Sequence, residues 1–148
     1  MKYIISLLIC LSLFSCRHIE TLPLTVKAGL PTTLSESSGI EVSNRNSIWS
    51  MNDSGRKPKL YQFDSSGLLL RTLTVGNAIN IDWEDLAQDN EANFYIGDFG
   101  NNKNERKDLK IYKIPNPDTI TGNAVIASEI SFSYPDQRDF PPASSLRN

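Results

Sequence analysis

The chain has few cysteines and almost no histidine. Its two cysteines, Cys10 and Cys16, both fall within the first 16 of 148 residues, so no disulfide framework can form downstream. The single histidine, His18, excludes a zinc site of Cys and His ligands in the body, and a Ser-His-Asp triad would have to use a residue beside the N-terminal leader. No excess of charge is present: 15 Lys and Arg against 17 Asp and Glu give a net charge of −2, which leaves no basic footprint for nucleic acid. No apolar run exceeds twelve residues, and none after residue 20 carries apolar side chains at helical spacing for eleven or more. Glycine patterns of the P-loop or Rossmann type are missing, and the acidic run at residues 82–85 lacks the glycine and distal glutamate of an EF-hand loop.

What is present begins with an address. Lys2 precedes a twelve-residue apolar stretch, residues 3–14, broken only by two serines. At 1.5 Å per residue it would cover roughly 18 Å of a hydrocarbon core of about 30 Å, so it reads as a signal peptide rather than a span. Leu13-Phe14-Ser15-Cys16 follows and resembles the lipobox of bacterial lipoproteins, departing from it at Phe14. The resemblance implies cleavage after Ser15 and a diacylglycerol on Cys16, with further acylation of the new amine. Two or more acyl chains anchor a protein stably. Residues 1–15 are therefore expected to be a lipoprotein signal peptide and residues 16–30 a lipidated tether. The membrane is the partner through Cys16, in the cell envelope, on the outer membrane facing periplasm or exterior. An ordinary signal peptide with a stray cysteine is the alternative.

The body reads as strands. Residues 47–52, 59–63, 68–75, 93–96, 109–114 and 128–134 are short β-rich runs, each closed by Gly, Asn, Asp or Pro. Two units look like copies: Asp53-Ser54-Gly55 matches Asp98-Phe99-Gly100 at an offset of 45, and Leu60-Tyr61-Gln62-Phe63 matches Ile111-Tyr112-Lys113-Ile114 at 51. The six extra residues fit the polar loop 101–108. A period of about 45–50 residues with four short strands marks a propeller blade. The expected fold is all-β: a partial β-propeller of about two four-stranded antiparallel blades over residues 31–136, with a polar tail at 137–148. A β-sandwich with similar hairpins is the alternative.

Glu36-Ser37-Ser38-Gly39-Ile40, Asn52-Asp53-Ser54-Gly55, Asp82-Trp83-Glu84-Asp85-Leu86 and Gly97-Asp98-Phe99-Gly100-Asn101-Asn102, with Arg106, together resemble a largely uncharacterised bacterial group of secreted β-propeller proteins. That group is distant in pattern from the NHL, strictosidine synthase and SMP-30/gluconolactonase-like propellers. The resemblance spans roughly residues 34–136. It implies the fold but no activity, because related propellers divide between metal-dependent hydrolases and binding scaffolds. Closed propellers have four to eight blades, and this chain has room for about two and a half, so a truncated chain or one that completes itself by association is expected.

The acidic residues that close strands are the candidates for chemistry. Glu36, Asp53, Glu84, Asp85 and Asp98 form an oxygen-rich set suited to a hard divalent cation such as Ca²⁺, and Glu36 before its glycine resembles the tunnel glutamate of SMP-30-like enzymes. The plainer reading is turn chemistry, in which Asp bonds its own backbone two residues on. Arg106 becomes a candidate ligand contact if it folds back toward Asp98. Trp49 and Trp83 suit a core or blade interface. The expected function is a membrane-anchored module that binds a small molecule or protein partner without chemistry, with self-association through an open blade face. The alternative is a metal-dependent hydrolase of the lactonase or phosphotriesterase kind that uses an acidic ring in the propeller channel.

Overall fold

A computed structural model describes residues 22–44 and 47–141. The expected signal peptide, Cys16 and the first part of the expected tether lie outside the described residues. So do positions 142–148 of the expected tail. Residues 22–27 belong to no helix or strand and are exposed. Among the described residues no helix is long and apolar enough to cross a membrane.

The body is all-β. Strands β1 (Ser37–Asn44), β2 (Ser47–Asn52), β3 (Lys59–Phe63) and β4 (Leu69–Val75) form one antiparallel meander. Strands β5 (Trp83–Gln88), β6 (Phe94–Asp98), β7 (Lys110–Ile114) and β9 (Ser128–Ser131) form a second. The segments around Trp49 and Tyr95 thus belong to successive sheets, as two propeller-like blades require.

Turn residues set these boundaries. Asp64 accepts from the backbone N–H of Ser66 and Leu68, which closes the β3–β4 hairpin, and Gly67 takes φ +82°. Asp89 does the same for the β5–β6 hairpin through the N–H groups of Glu91 and Asn93.

The core lies in the seam between the blades. The first blade contributes Trp49, Met51, Leu60, Leu73 and Val75, and the second Trp83, Leu86, Phe94, Ile96, Tyr112 and Ile114. Trp49 meets Phe94 edge-on, with ring centroids 6.2 Å apart at 85°. The first strands of the two blades approach so closely that a Cβ on Gly39 would stand 2.7 Å from the Leu86 nitrogen. Glycine is what permits the backbones to meet there.

The first sheet corrects one expectation: it has five strands. Between β7 and β9 the chain leaves the second blade, makes a single 3-10 turn at Pro117–Thr119, and lays β8 (Ala124–Val125) parallel to β4 at Thr74 and Val75. Arg71 in β4 holds this crossover by donating to the carbonyls of Pro117, Ile120 and Gly122. Asn77 both donates to and accepts from the backbone of Ala127. A two-residue strand carries no period, so nothing in the sequence pattern announces it. The last strand also stops at Ser131 rather than running to residue 134. Beyond it Phe132 packs against Phe99 and Tyr134, Gln137 donates to the Asn104 carbonyl, and Lys107 sits over the Phe140 ring.

The register also corrects the internal repeat. Both inner hairpins carry a bulge at the same place: Ser37 pairs with Asn52 and Gly39 with Met51, while Trp83 pairs with Asp98 and Asp85 with Gly97. The structural equivalent of Asp98 is therefore Asn52, not Asp53, and the inner-hairpin offset is one residue longer than the Asp-x-Gly match implied. The offset of the third strands stands, since Met51 pairs with Leu60 and Gly97 with Ile111.

Trp49→Ala is expected to cost about 3–5 kcal/mol, the usual range for removing a buried tryptophan. Gly39→Ala is expected to cost about 1–3 kcal/mol through backbone overpacking. Denaturant midpoints at unchanged slope check both.

Candidate functional site

One end of the seam gathers carboxylates. Asp82 precedes β5, and Glu84 lies two residues on. Between them Trp83 turns into the core, so the two acids share the outer side. Asp53 follows β2. Asn80, itself buried, ties these pieces together: its Nδ2 donates to the carbonyls of Asn52 and Asp53, both at 2.9 Å, and its Oδ1 accepts from the Trp83 N–H. One oxygen from each of Asp53, Asp82 and Glu84 lies within 4.8 Å of the others.

The electrostatics of this group are unfavourable when all three are charged. Burial raises the Asp82 carboxyl above its ordinary pKa, and the charge of Asp53 and a hydrogen bond with it add to the shift. Burial likewise raises Glu84, with the charges of Asp82 and Asp53 reinforcing it. Among the described residues no Lys or Arg forms an ion pair with any of the three.

Gly100 closes against the group, donating its N–H to the Asp82 carbonyl at 3.1 Å. A Cβ there would fall 2.2 Å from Asp82 Oδ2 and 2.4 Å from Glu84 Oε1. Two adjoining clefts, about 270 and 290 Å³ in volume, share Gly100, Asn101 and Asn102. Glu84, Phe99 and Tyr134 line one, and Asp82, Ser54 and Lys103 the other.

Asp98 and Arg106 brace the site from behind. Asp98 is fully buried, and its Oδ1 accepts from the Asp82 N–H at 3.0 Å and from Arg106 Nη1 at 2.9 Å. Arg106 also donates to the Gly100 carbonyl and to Asp108. Burial opposes its charge, but Asp108 and Asp98 outweigh that and raise its pKa. Asn101 Oδ1 accepts from the N–H groups of Glu105 and Arg106, which curls the loop so that the guanidinium reaches back.

Of the residues named from sequence, Asp53 and Glu84 join the cluster, and Asp98 with Arg106 support it. Two stand apart. Glu36 pairs with Arg56 at 2.8 Å, both half-exposed, an arrangement worth little energetically. Asp85 is exposed and accepts from the Leu86 N–H at 2.8 Å; it pairs with Gly97 past the bulge that interrupts the strand at Glu84. Asp82 and Asn80 are the members missed. The Asp-x-Glu spacing at a strand start could have revealed Asp82. Nothing local marks Asn80.

Raised carboxyl values mean that the fold prefers these groups protonated. Their stabilising contribution is present below the ordinary carboxylate range and is lost as pH rises through the raised values. Asp82→Asn should therefore stabilise the protein at neutral pH, by about 1 kcal/mol or less given solvent screening. It should also flatten the decline of stability above the carboxylate range, and thermal melts across pH read both effects. Comparison with protein-family models, with curated proteins and with solved structures finds no match.

Proposed function

We propose that the chain is an envelope-anchored, propeller-type binding module, held to the membrane through Cys16, whose cleft is organised by a divalent cation of the calcium type at Asp53, Asp82 and Glu84. The observation that carries this reading is the convergence of three carboxylate oxygens within 4.8 Å with no basic partner among the described residues. A hard cation relieves their repulsion and takes six to eight oxygens. Three carboxylates leave positions for water and for oxygens of a ligand. The clefts beside Gly100 and Asn102 are where such a ligand would sit.

A second reading is hydrolysis of an ester or lactone. The open cleft beside Glu84 and Gly100 favours it, because a cation held at the cluster would meet a carbonyl bound there.

Titration of the full chain with calcium and with manganese tests the proposal. Saturable binding is expected, with thermal stability rising by about 2.7 kcal/mol at a metal concentration a hundredfold above the dissociation constant. The effect should vanish in a chain carrying Asp82→Asn and Glu84→Gln and survive in Glu36→Gln and Asp85→Asn. Stability indifferent to both metals would overturn it. Metal-dependent turnover of an ester or lactone would replace binding by the hydrolytic reading.

A further inference from the structure

The cleft of about 270 Å³ beside Gly100 has a lining that a cation alone does not use. Phe99 and Tyr134 form its apolar wall, and Glu84, Asn101 and Asn102 its polar one. The apolar wall is braced. A Cβ on Gly97 would overlap the Phe99 ring, so that ring lies directly on β6. Phe132 joins the two aromatics by edge contacts, with its centroid 6.2 Å from Phe99 and 5.7 Å from Tyr134. Tyr134 still keeps 40% of its surface exposed. On the polar side, Asn101 commits its Oδ1 to the N–H groups of Glu105 and Arg106. Its Nδ2, the Asn102 amide, the Tyr134 hydroxyl and the Glu84 carboxylate make no hydrogen bond among the described residues.

Donors and acceptors thus stand opposite a fixed aromatic wall. A hydroxyl both donates and accepts, so a polyol answers the amides, the phenol and the carboxylate together. An ammonium would leave the amide N–H groups without an acceptor, and an anion would meet Glu84. A purely apolar ligand would strand all four polar groups. The C–H bonds on the face of a sugar ring carry slight positive charge, which suits the negative face of an aromatic ring. We infer that this cleft takes a neutral saccharide, its ring against Tyr134 and Phe99 and its hydroxyls on Glu84, Asn101 and Asn102. This deepens the binding reading above and rests on it for the cleft being a ligand site. The cation is not required: the Glu84 carboxylate accepts from hydroxyls directly. With a cation at the cluster, hydroxyl oxygens fill coordination positions that three carboxylates leave.

Calorimetric titration of the full chain in a non-glycosidic detergent, once with calcium and once with chelator, tests this. The probes are neutral oligosaccharides of glucose, galactose, mannose and N-acetylglucosamine, with spermidine as the rival ligand. Saturable binding of at least one oligosaccharide is expected. Tyr134→Ala and Asn102→Ala should each weaken it about tenfold, the scale of one lost ring contact or hydrogen bond. Tyr134→Phe, which keeps the ring, should retain most of the affinity, and Asp85→Asn all of it. These positions are exposed, so the fold should stand in every variant. Calcium titration should be the same in Tyr134→Ala as in the unmodified chain. Calcium binding with no response to any of the oligosaccharides overturns this inference and leaves the cation site. Oligosaccharide binding without calcium binding does the reverse. Spermidine binding in place of the sugars, or sugar binding indifferent to both alanine variants, also overturns it.

Discussion

The approach of β1 to β5 at Gly39 is the contact on which the rest depends. With no side chain at that position, the first strands of the two blades come to backbone distance. The apolar faces behind them then close around Trp49, Trp83 and Phe94. Neither sheet could bury its face alone, because a four-stranded meander needs a partner layer. The second blade supplies that layer for the first, and the first for the second. Dispersion and water release in the seam stabilise both sheets at once.

The acidic cluster follows from the same approach. Asp53 ends a strand of one blade, while Asp82 and Glu84 start a strand of the other. They meet because the strand ends meet, with Asn80 bridging the two backbones. Arg106 is near enough to neutralise charge but is committed to Asp98 and Asp108. The mutual repulsion of the three acids therefore remains. Gly100 lets the loop press on the cluster without displacing it. A site formed in this way is sensitive to the relative placement of the blades, since its ligating atoms come from both.

Much of the fold was legible because turn residues punctuate it. Runs such as 47–52 and 59–63 match strands to the residue, since Asp, Ser and Gly after them leave the backbone no extended alternative. The placement of Trp49 and Trp83 in a blade interface followed from their size. The offset of the inner hairpins was misread by one residue. Asp-x-Gly recurs visibly, whereas a bulge is a property of pairing and leaves no mark in composition. The candidate site was half legible. Asp53 and Glu84 stand out as acids at strand ends, but Asp85 beside Glu84 looks equivalent in sequence and is parted from it by the bulge in β5. Glu36 looked channel-facing and is drawn to Arg56, a partner twenty residues away. Asn80 acts through three backbone groups brought together only by the completed seam.

The excursion of the chain through β8 has a consequence for assembly in time. Asn77 and Ala127, fifty residues apart, clasp one another at the edge of the first sheet. That edge stays open until the whole of the second meander except its last strand has been synthesised. Pairings this distant are slow to form, because loop closure must precede the contacts that reward it. The edge of the first sheet is therefore completed by a segment that the chain supplies only after three strands of the second.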